Sequence, residues 1–427
     1  MDHARYLVDI SPMRRFRDFR RLWFGLVLAQ IGAQLGIVAA SYQVYRITGS
    51  SLDVGFISLI QLLPSLFGSV IGGSIADAMD RRKLLIITEV AMAACTTGLA
   101  FNSRGDHPSL VLIFLLAGLS AGFAGIDGPT RSAMLMATVD RDSFVAANTL
   151  RQLMIQVAVI VGPAIGGLLL APIGIAGVYW LNAGAFALTA LAITTLNASP
   201  PIGGGTRFGW SSVSEGFAFL RGRQALQACF IADLNATILG MPTSLFPALG
   251  LVHFHGGPRA VGFLYAAPGI GALAATVLSG WTNRVRLPGR AVVIAIAIWG
   301  VAITVFGLVP DLVLALVFLG IAGAADVISA VFRGAIVQLE AHDQLRGRIS
   351  AIQLAVVSSG PRLGNLEAGG VAQAFSDQIS VVSGGLGALL GIVVIARLMP
   401  RFLSYEISHT ETDISTGWAD PPEPPRL

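Results

Sequence analysis

The stretch GGSIADAMDRRK, Gly72 to Lys83, decides the fold because it sets five charged residues between two long apolar runs. The run before it reads LIQLLPSLFGSVIGG, and the run after it reads LLIITEVAMAACTTGLA. Basic residues between bilayer-crossing segments hold a loop at the membrane surface. The stretch therefore predicts two membrane helices joined by a short basic loop.

The composition of the whole chain extends this prediction. Of its 427 residues, 54% are hydrophobic and only 12% are charged, and the mean hydropathy is +0.73. Soluble domains carry about 25% charged residues. The chain contains about twelve apolar runs of about 20 residues, the length that crosses a bilayer as a helix. The runs are too long and too continuous for barrel strands, so we expect an all-α integral membrane protein with twelve transmembrane helices.

The distribution of positive charge predicts the orientation. Connections after odd-numbered spans carry Arg46, Arg104 and Arg259 and little other positive charge. The other side carries the basic N-terminus (Arg14, Arg15, Arg17, Arg20, Arg21) together with Arg81, Arg82, Lys83, Arg141, Arg207, Arg221, Arg223, Arg284, Arg286, Arg290, Arg346, Arg348, Arg397 and Arg401. By the positive-inside rule, both termini lie in the cytoplasm of a multi-pass cell-membrane protein.

The two halves of the chain resemble each other at an offset of roughly 200 residues. RSAMLMATVDRD from Arg131 matches RGAIVQLEAHDQ from Arg333, and GPAIGG from Gly162 matches GPRLGN from Gly360. The opening stretch has a degenerate counterpart, SGWTNRVRLPGR. Landmarks in the same order predict two parallel six-helix repeats, as in many secondary transporters.

The expected organisation has five parts. The third part, the longest connection, contains SSVSEGFAFLRGR, which can form an amphipathic helix on the membrane surface or a plain loop. The last part is polar and ends in PPEPPRL, which is typical of disorder. The parts are a basic cytoplasmic N-terminus (1–21), a first six-helix half (22–196), the connector (197–224), a second six-helix half (225–400) and a disordered cytoplasmic tail (401–427).

The opening stretch resembles the signature between the second and third spans of the major facilitator superfamily. Gly73 and Asp77 match its first and fifth positions, and Arg81, Arg82 and Lys83 match its basic end. Ala78 stands where a basic residue is usual, and Asp80 stands where glycine is usual. The segments RDFRRLWFG, YRITGSSLDVGF, IDGPTRSAML and VGFLYAAPGIGA resemble the branch that holds bacterial enterobactin (siderophore) exporters and multidrug exporters.

These residues predict a conformational latch. Gly73 lets two helices approach closely, and Asp77 at a helix end can pair with a neighbouring helix N-terminus or an arginine. With the basic cluster Arg81, Arg82 and Lys83, they would hold the outward-facing state and release on inward opening. The alternative is a plain basic stop, which needs the cluster but neither Gly73 nor Asp77.

The position of the single lysine excludes a nucleotide-binding phosphate loop as the energy source within this chain. A phosphate-binding loop needs a lysine after glycine, and the only lysine is Lys83, which follows Arg82. No metalloprotease or nucleophile-elbow motif is present, and His253 and His255 lack further ligands near them in sequence. We therefore expect no enzymatic activity, cofactor or metal, and a gradient, by preference of protons, as the driving force.

Polar residues inside the spans mark a candidate substrate or proton path, because charges there are costly. In one interpretation Arg362 binds an anionic part of the substrate and a carboxylate takes the coupling proton. In the other, Arg362 and a carboxylate form an ion pair that only fixes packing. The residues concerned are Asp233 and Asn235 in the seventh span, Asp326 in the tenth, and Arg362, Asn365 and Glu367 in the eleventh.

Other ionisable residues favour a structural interpretation. Asp127 and Arg131, four residues apart near the inner end of the fourth span, can neutralise each other. Arg333 is expected to pair with them at the inner end. Glu89 lies close enough to the inner surface for its side chain to snorkel to the headgroups.

Two further motifs point to transport. The resemblance implies that the first span lines the cavity, so Gln30 and Gln34 are candidate substrate contacts, or else interhelical hydrogen bonds. GPAIGG resembles the end of the family's antiporter motif. Its Pro163 can kink the helix, and its Gly162, Gly166 and Gly167 permit close packing. This motif favours export over import.

The sequence as a whole predicts a secondary active exporter that works by alternating access and proton antiport. The resemblance implies a siderophore, such as an enterobactin-like metabolite, as substrate. A multidrug or antibiotic efflux pump is the alternative, and a membrane scaffold or sensor without transport is a remote one. The expected partners are lipid, a small-molecule substrate and protons but no nucleic acid, and a monomer suffices to enclose the path.

Overall fold

The computed structural model describes residues 9–196, 222–340 and 346–406, and within these ranges the chain is helical without strands. A short helix, Ser11–Arg15, precedes the first long helix, and another, Pro400–Leu403, follows the last. The long helices are α1 (Arg17–Thr48), α2 (Ser51–Ala78), α3 (Arg81–Asn102), α4 (Leu110–Ala137), α5 and α6 (the two arms of the run Phe144–Thr194), α7 (Gln224–Leu239), α8 (Gly257–Val277), α9 (Pro288–Leu308), α10 (Leu312–Glu340), α11 (Arg346–Ala374) and α12 (Asp377–Leu398).

The helix ends follow from local capping. α1 ends at Gly49, whose φ of 64° is a left-handed conformation that glycine adopts without strain. Ser50 then caps α2 by accepting a hydrogen bond from the backbone N–H of Asp53 at 3.2 Å. Asp80 caps α3 in the same way through the N–H of Arg82 at 2.9 Å. The opening stretch is therefore a tight connection between α2 and α3, as predicted.

The all-helical membrane architecture predicted from the sequence is confirmed. Within the described ranges, 10 helices are long and apolar enough to cross a membrane, with Phe144–Thr194 counted as one. Gly174, at φ 69° and ψ 179°, breaks that run into α5 and α6. α11 is not among the 10, and it carries Arg362, Asn365 and Glu367. The exact number of twelve crossings stays a prediction.

Two helical halves, α1–α6 and α7–α12, meet along two helix pairs, α2 with α11 and α5 with α8. Small residues make both contacts close. A Cβ on Gly167 of α5 would overlap the backbone of Gly262 on α8, and one on Gly55 of α2 would overlap the carbonyl of Asn365 on α11. Such contacts are typical of helix packing in membranes, where backbones approach through small residues.

These contacts lie toward one end of the molecule, here called the closed end, where α1 turns into α2. The opposite end, which carries the α2–α3 connection and Arg81, Arg82 and Lys83, is called the basic end. The contacts along α2 and α11 run from Ser50 and Gln373 at the closed end to Ser65 and Arg362 at mid-depth. Closer to the basic end, Gly68 and Gly72 of α2 pack instead against α4 of their own half.

Three predicted segments lie wholly or mostly outside the described residues. They are the first residues of the basic N-terminus (1–8), most of the connector (197–221) and most of the tail (407–427). The proposed amphipathic segment of the connector falls within this part, so it stays a prediction.

Candidate functional site

A buried charged cluster lies between α3 and α4. Arg131 Nη2 lies 2.5 Å from Glu89 Oε1, and Arg131 Nε lies 2.6 Å from Asp127 Oδ2. The hydroxyl of Thr88 donates to Asp127 Oδ1 at 2.9 Å. We call Glu89, Asp127 and Arg131 the α3–α4 cluster. Glu89 is eight residues into α3, which places it about 12 Å from the start of the helix.

The environment of Glu89 differs from the expectation. The sequence predicted that its side chain snorkels to the membrane surface, but its side chain is 0% exposed and is paired with Arg131. Glu89 Oε2 is buried and has no hydrogen-bond partner. The snorkelling prediction is wrong because α4 places a guanidinium next to Glu89 inside the bundle.

A second charged cluster lies between α7 and α10. Arg333 Nη2 lies 2.7 Å from Asp233 Oδ1 and 3.9 Å from Asp326 Oδ1, and Arg333 Nη1 donates to Ser329 Oγ at 2.7 Å. We call Asp233, Asp326 and Arg333 the α7–α10 cluster. The side chain of Asp326 is 43% exposed.

A cavity of about 60 Å³ adjoins the α7–α10 cluster. Asp233 and Arg333 line it together with Cys229, Gln353 and other residues of α7, α10 and α11. Arg333 was expected to join Asp127 and Arg131, and this grouping is wrong. Each repeat carries its own arginine, and Arg333 belongs to the half in which α7 offers Asp233.

Arg362 lies at mid-depth on α11 and is half-buried. Its Nη1 donates to the hydroxyl of Ser65 on α2, across the boundary between the halves. Among the described contacts, Arg362 pairs with none of the carboxylates that the sequence offered, and Asp233 pairs with Arg333 instead. The described partner of Arg362 is therefore neutral.

Three serines of α2 form a stripe that the sequence interpretation missed. Ser51 donates to Asp377 Oδ1 at 2.5 Å, Ser58 Oγ accepts from Asn365 Nδ2 at 3.1 Å, and Ser65 accepts from Arg362. We call Ser51, Ser58 and Ser65 the serine ladder. Their spacing of seven residues was a usable signal, because residues seven apart share one face of a helix.

Asn365 also joins the serine ladder to a break in the seventh span. Its Oδ1 accepts from the hydroxyl of Thr243 at 2.6 Å and from the N–H of Ser244 at 3.0 Å. α7 ends at Leu239, and Trp299 Nε1 donates to the freed carbonyl of Gly240 at 3.1 Å. Asn365 thus holds three helical segments together at the closed end. The sequence GMPT was the signal for this break, because proline and glycine interrupt helices.

The other residues predicted for the path occupy different places. Asn235 Nδ2 donates to the carbonyl of Ala388 at 2.9 Å, so it fixes α7 against α12 within one half rather than facing a path. Gln30, Gln34 and Glu367 are half-buried.

The antiporter-like motif of α5 lies toward the closed end of the molecule. Gly162 leaves room for Gln34 of α1, and a Cβ on Gly166 would lie 3.4 Å from Leu35 and 3.5 Å from Val38 of α1. Gly167 approaches Gly262 of α8, where a Cβ on Gly262 would lie 2.8 Å from the carbonyl of Pro163. The motif therefore determines how closely α5 packs against α1 of its own half and α8 of the other half.

The predicted latch residues lie at the basic end, where Arg82 donates to the carbonyl of Thr194 on α6. The prediction that Gly73 permits a close helix contact is not met in this conformation, since a Cβ there would have nothing within 4 Å. Its neighbour Gly72 makes the contact, against Ile126 of α4. The side chain of Asp77 is outside the described part of the chain.

No three His, Cys, Asp or Glu side chains of the described residues come together as metal ligands would. His253 Nε2 lies 3.4 Å from the carbonyl oxygen of Val309.

The duplicated helical halves, joined at one end and carrying charges at mid-depth, define a membrane transporter of the major facilitator type. The chain belongs to the transmembrane secretion effector family of that superfamily, whose sequence profile matches residues 8–421. Among curated proteins, it is 28% identical over 403 residues to the enterobactin exporter EntS of Shigella boydii serotype 18, covering 93% of this chain and 96% of the relative. It is 27% identical over 420 residues to the EntS of Escherichia coli O157:H7 (strain EC4115 / EHEC), covering 98% and 100%.

Solved structures share the fold at low sequence identity. The nucleoside transporter NupG superposes with a TM-score of 0.73 at 13% identity, covering 91% of this chain and 100% of NupG. A bacterial homologue of the lysosomal transporter Spinster, solved inward-facing and unoccupied, superposes with a TM-score of 0.65 at 17% identity, covering 91% and 95%. These likenesses support the fold alone.

Proposed function

We propose that this transporter is a secondary active exporter that moves a siderophore or a similarly sized amphipathic metabolite out of the cell in exchange for protons. The family and the exporters among its relatives support the direction of transport. The observation that carries the proposal is the state of Arg362.

Arg362 differs from Arg131 and Arg333, the arginines of the two charged clusters. Arg131 and Arg333 each lie next to two carboxylates, whereas the described partner of Arg362 is the hydroxyl of Ser65. A cation within a membrane span is costly unless it is paired, so such residues usually serve function. The guanidinium carries several donors that suit a carboxylate or another oxyanion. Arg362 is therefore the residue that we propose binds an anionic group of the substrate.

We propose that further polar residues line the substrate path together with Arg362. Gln30 and Gln34 of α1, Asp326 of α10 and Glu367 of α11 are the further polar residues that we assign to the path. Arg362 bonds to α2 of the other half, so a substrate that displaces Ser65 loosens the contact between the halves. Substrate binding and the change of conformation are then linked.

Alternating access requires a second conformation that the closed-end contacts oppose. In that state the serine ladder separates from α11 and α12, and the basic ends of the two halves meet. We assign the latch role to Gly73, Asp77, Arg81, Arg82 and Lys83, because they lie at the end that must then close. The open space beside Gly73 supports a latch that is released in the present conformation.

The positive-inside rule places the basic end in the cytoplasm, with both termini on that side. The present conformation would then face inward. One proton that crosses an assumed potential of about 180 mV supplies about 4 kcal/mol, or about a thousandfold gradient. Exchange of one proton per substrate is thus sufficient for export by a monomer.

Secretion under iron starvation tests the proposal. An Escherichia coli strain deleted for its own enterobactin exporter is complemented with the wild-type chain, with Arg362→Gln or with Arg397→Gln. Arg397 is an exposed arginine at the basic end of α12, so its variant controls for the loss of one positive charge. Secretion restored by the wild type and by Arg397→Gln, but not by Arg362→Gln, is the expected result.

Wild-type chain that reaches the membrane yet restores no secretion would refute the siderophore assignment. A panel of amphipathic drugs would then test the multidrug alternative. Equal secretion by Arg362→Gln and the wild type would refute the role of Arg362 and leave the siderophore assignment intact.

A further inference from the structure

The α3–α4 cluster contains one more carboxylate than it can neutralise. With all three groups ionised, Glu89 and Asp127 share the single positive charge of Arg131. The side chains of Glu89, Asp127 and Arg131 are only 0%, 5% and 12% exposed, so water cannot screen the remaining negative charge. An excess charge buried in a membrane helix is costly, and one proton removes it.

Hydrogen bonding distinguishes the two carboxylates. Asp127 accepts a hydrogen bond from Thr88 at Oδ1, and its Oδ2 forms an ion pair with Arg131 Nε at 2.6 Å. Glu89 Oε1 accepts a hydrogen bond from Arg131 Nη2, but Glu89 Oε2 is buried and has no hydrogen-bond partner. An unpartnered carboxylate oxygen costs more than an unpartnered neutral hydroxyl. We propose that the α3–α4 cluster is the proton-binding site of the transporter and that Glu89 carries the proton, a proposal that rests on the antiport proposed above.

The surroundings of Glu89 isolate this site. Leu85, one turn toward the basic end, belongs to an apolar cluster with Leu22 and Leu26 of α1. Met92, one turn toward the closed end, belongs to another with Phe186 of α6. Glu89 therefore lies between two apolar layers.

The described charged groups that face Glu89 are Asp127 and Arg131, both from α4. α6, which packs against α3, has no Asp, Glu, His, Lys or Arg between residues 175 and 194, and α5 carries Arg151, which bonds to Asn148. The charged residues of α1 and α2 lie toward their ends, with Asp53 at the closed end of α2 and Asp77 at its basic end.

Packing links this site to Arg362. Gly125 of α4, two residues before Asp127, fits against the backbone of α2 at Ser65 and Ser69. Ser65 is also the acceptor for Arg362. A proton on Glu89 weakens its hold on Arg131, and α4 can transmit the resulting shift to α2 and the boundary between the halves. The proton and the substrate would thus act on the same helix, α2, from opposite sides.

Infrared spectroscopy of the purified full-length protein in detergent tests the proton site without any substrate. Wild type is expected to show a protonated carboxyl band that disappears as the pH is raised through the neutral range. Glu89→Gln should lack this band, and Asp106→Asn should keep it, because Asp106 is an exposed carboxylate in the α3–α4 connection. Absence of the band from wild type, or its persistence in folded Glu89→Gln, would overturn the proposal.

Transport in proteoliposomes tests the coupling, with enterobactin as the probe. A pH difference of about one unit without a membrane potential should drive an accumulation of up to about tenfold in wild type. Glu89→Gln should abolish this accumulation while keeping exchange of labelled for unlabelled enterobactin at equal pH. Wild-type accumulation that Glu89→Gln retains would refute the site. If wild type exchanges enterobactin but does not accumulate it under a pH difference, proton antiport is refuted. The infrared measurement would still decide whether Glu89 binds a proton.

If Glu89→Gln does not fold, Asp127→Asn is the second variant. It removes the excess charge while keeping Glu89, so Glu89 should stay ionised and the neutral-range band should be lost. A band that persists unchanged in folded Asp127→Asn would contradict the charge balance from which the proposal is drawn.

Discussion

The two repeats keep the same arginine but surround it differently. Arg131 of α4 and Arg333 of α10 start matching segments of the repeats. Four residues before each of them stands a group that contacts the guanidinium, Asp127 in one half and Ser329 in the other. Of the other carboxylates, Glu89 comes from α3 and Asp233 from α7, which are not equivalent helices, and Asp326 comes from α10 itself.

The difference lies in solvation rather than in the number of charges. Each arginine has two carboxylates, but Glu89 is 0% exposed whereas Asp326 is 43% exposed. Burial opposes ionisation of a carboxyl group, so we expect the penalty on an ionised carboxylate to be larger at Glu89 than at Asp326. Each half thus keeps an arginine at the matching position, and we expect Glu89, the more enclosed carboxylate, to be the one that holds a proton.

The largest expected effect is on stability and comes from removing either arginine. Arg131→Met leaves Glu89 and Asp127 buried without a cation, which should cost about 3–5 kcal/mol, as for one partner of a buried ion pair. Arg333→Met should cost less, because the side chain of Asp326 is 43% exposed whereas that of Glu89 is 0% exposed. Thermal unfolding of the purified proteins measures both, with the exposed Arg397→Met as control. Equal losses for both variants would remove the distinction between the clusters.

The second prediction concerns Arg362, whose described partner is the neutral hydroxyl of Ser65. Arg362→Gln should unfold near the wild-type temperature, because among the described contacts it loses one hydrogen bond, to Ser65. A charge-assisted hydrogen bond to substrate contributes about 1.5–3 kcal/mol, so we expect probe affinity to fall by about tenfold or more. Binding of labelled enterobactin to the purified variant provides the measurement. A variant as unstable as Arg131→Met would mean that Arg362 fixes packing.

The third prediction concerns a substitution that makes the α3–α4 cluster resemble the α7–α10 cluster. Asp127→Ser gives Arg131 the neutral neighbour that Arg333 has in Ser329, so Glu89 and Arg131 form a balanced pair. Accumulation of enterobactin driven by a pH difference should fall from about tenfold toward onefold, while exchange continues. The proteoliposome assay measures both quantities. Accumulation unchanged from wild type would show that the excess charge plays no part in coupling.

The smallest effect is expected at the serine ladder. Ser58→Ala removes the hydrogen bond from Asn365, which contributes about 1 kcal/mol and should raise the population open at the closed end by about fivefold. Spin labels at exposed positions 46 and 375 report the separation of the halves. Ser69→Ala is the control, because Ser69 bonds within its own helix to the carbonyl of Ser65. The same distance distribution in both variants would show that Ser58 does not hold the halves together.

Much of the fold could be predicted because its signals are local. Apolar runs, the charge asymmetry of the connections and the matching segments at Arg131 and Arg333 predicted the helices and their duplication. The α2–α3 connection was also predictable, since it depends on a few consecutive residues.

The partners of the intramembrane charges could not be predicted in the same way. Arg333 pairs with Asp233, 100 residues before it in the chain, and Arg362 bonds to Ser65 of the other half. Such pairs depend on which helix faces which, and spacing within one helix does not report it. Glu89 was misjudged for a related reason, because its depth along α3 suggested access to the surface while α4 enclosed it.

The serine ladder has a consequence for the way the closed end opens. A hydroxyl that loses a protein partner can bond to water at little net cost, whereas an apolar surface that becomes wet cannot. Ser51, Ser58 and Ser65 each exchange one hydrogen bond for another as α2 separates from α11 and α12. Wetting can therefore advance along α2 one serine at a time, from Ser51 inward, until it reaches the bond that Ser65 makes to Arg362.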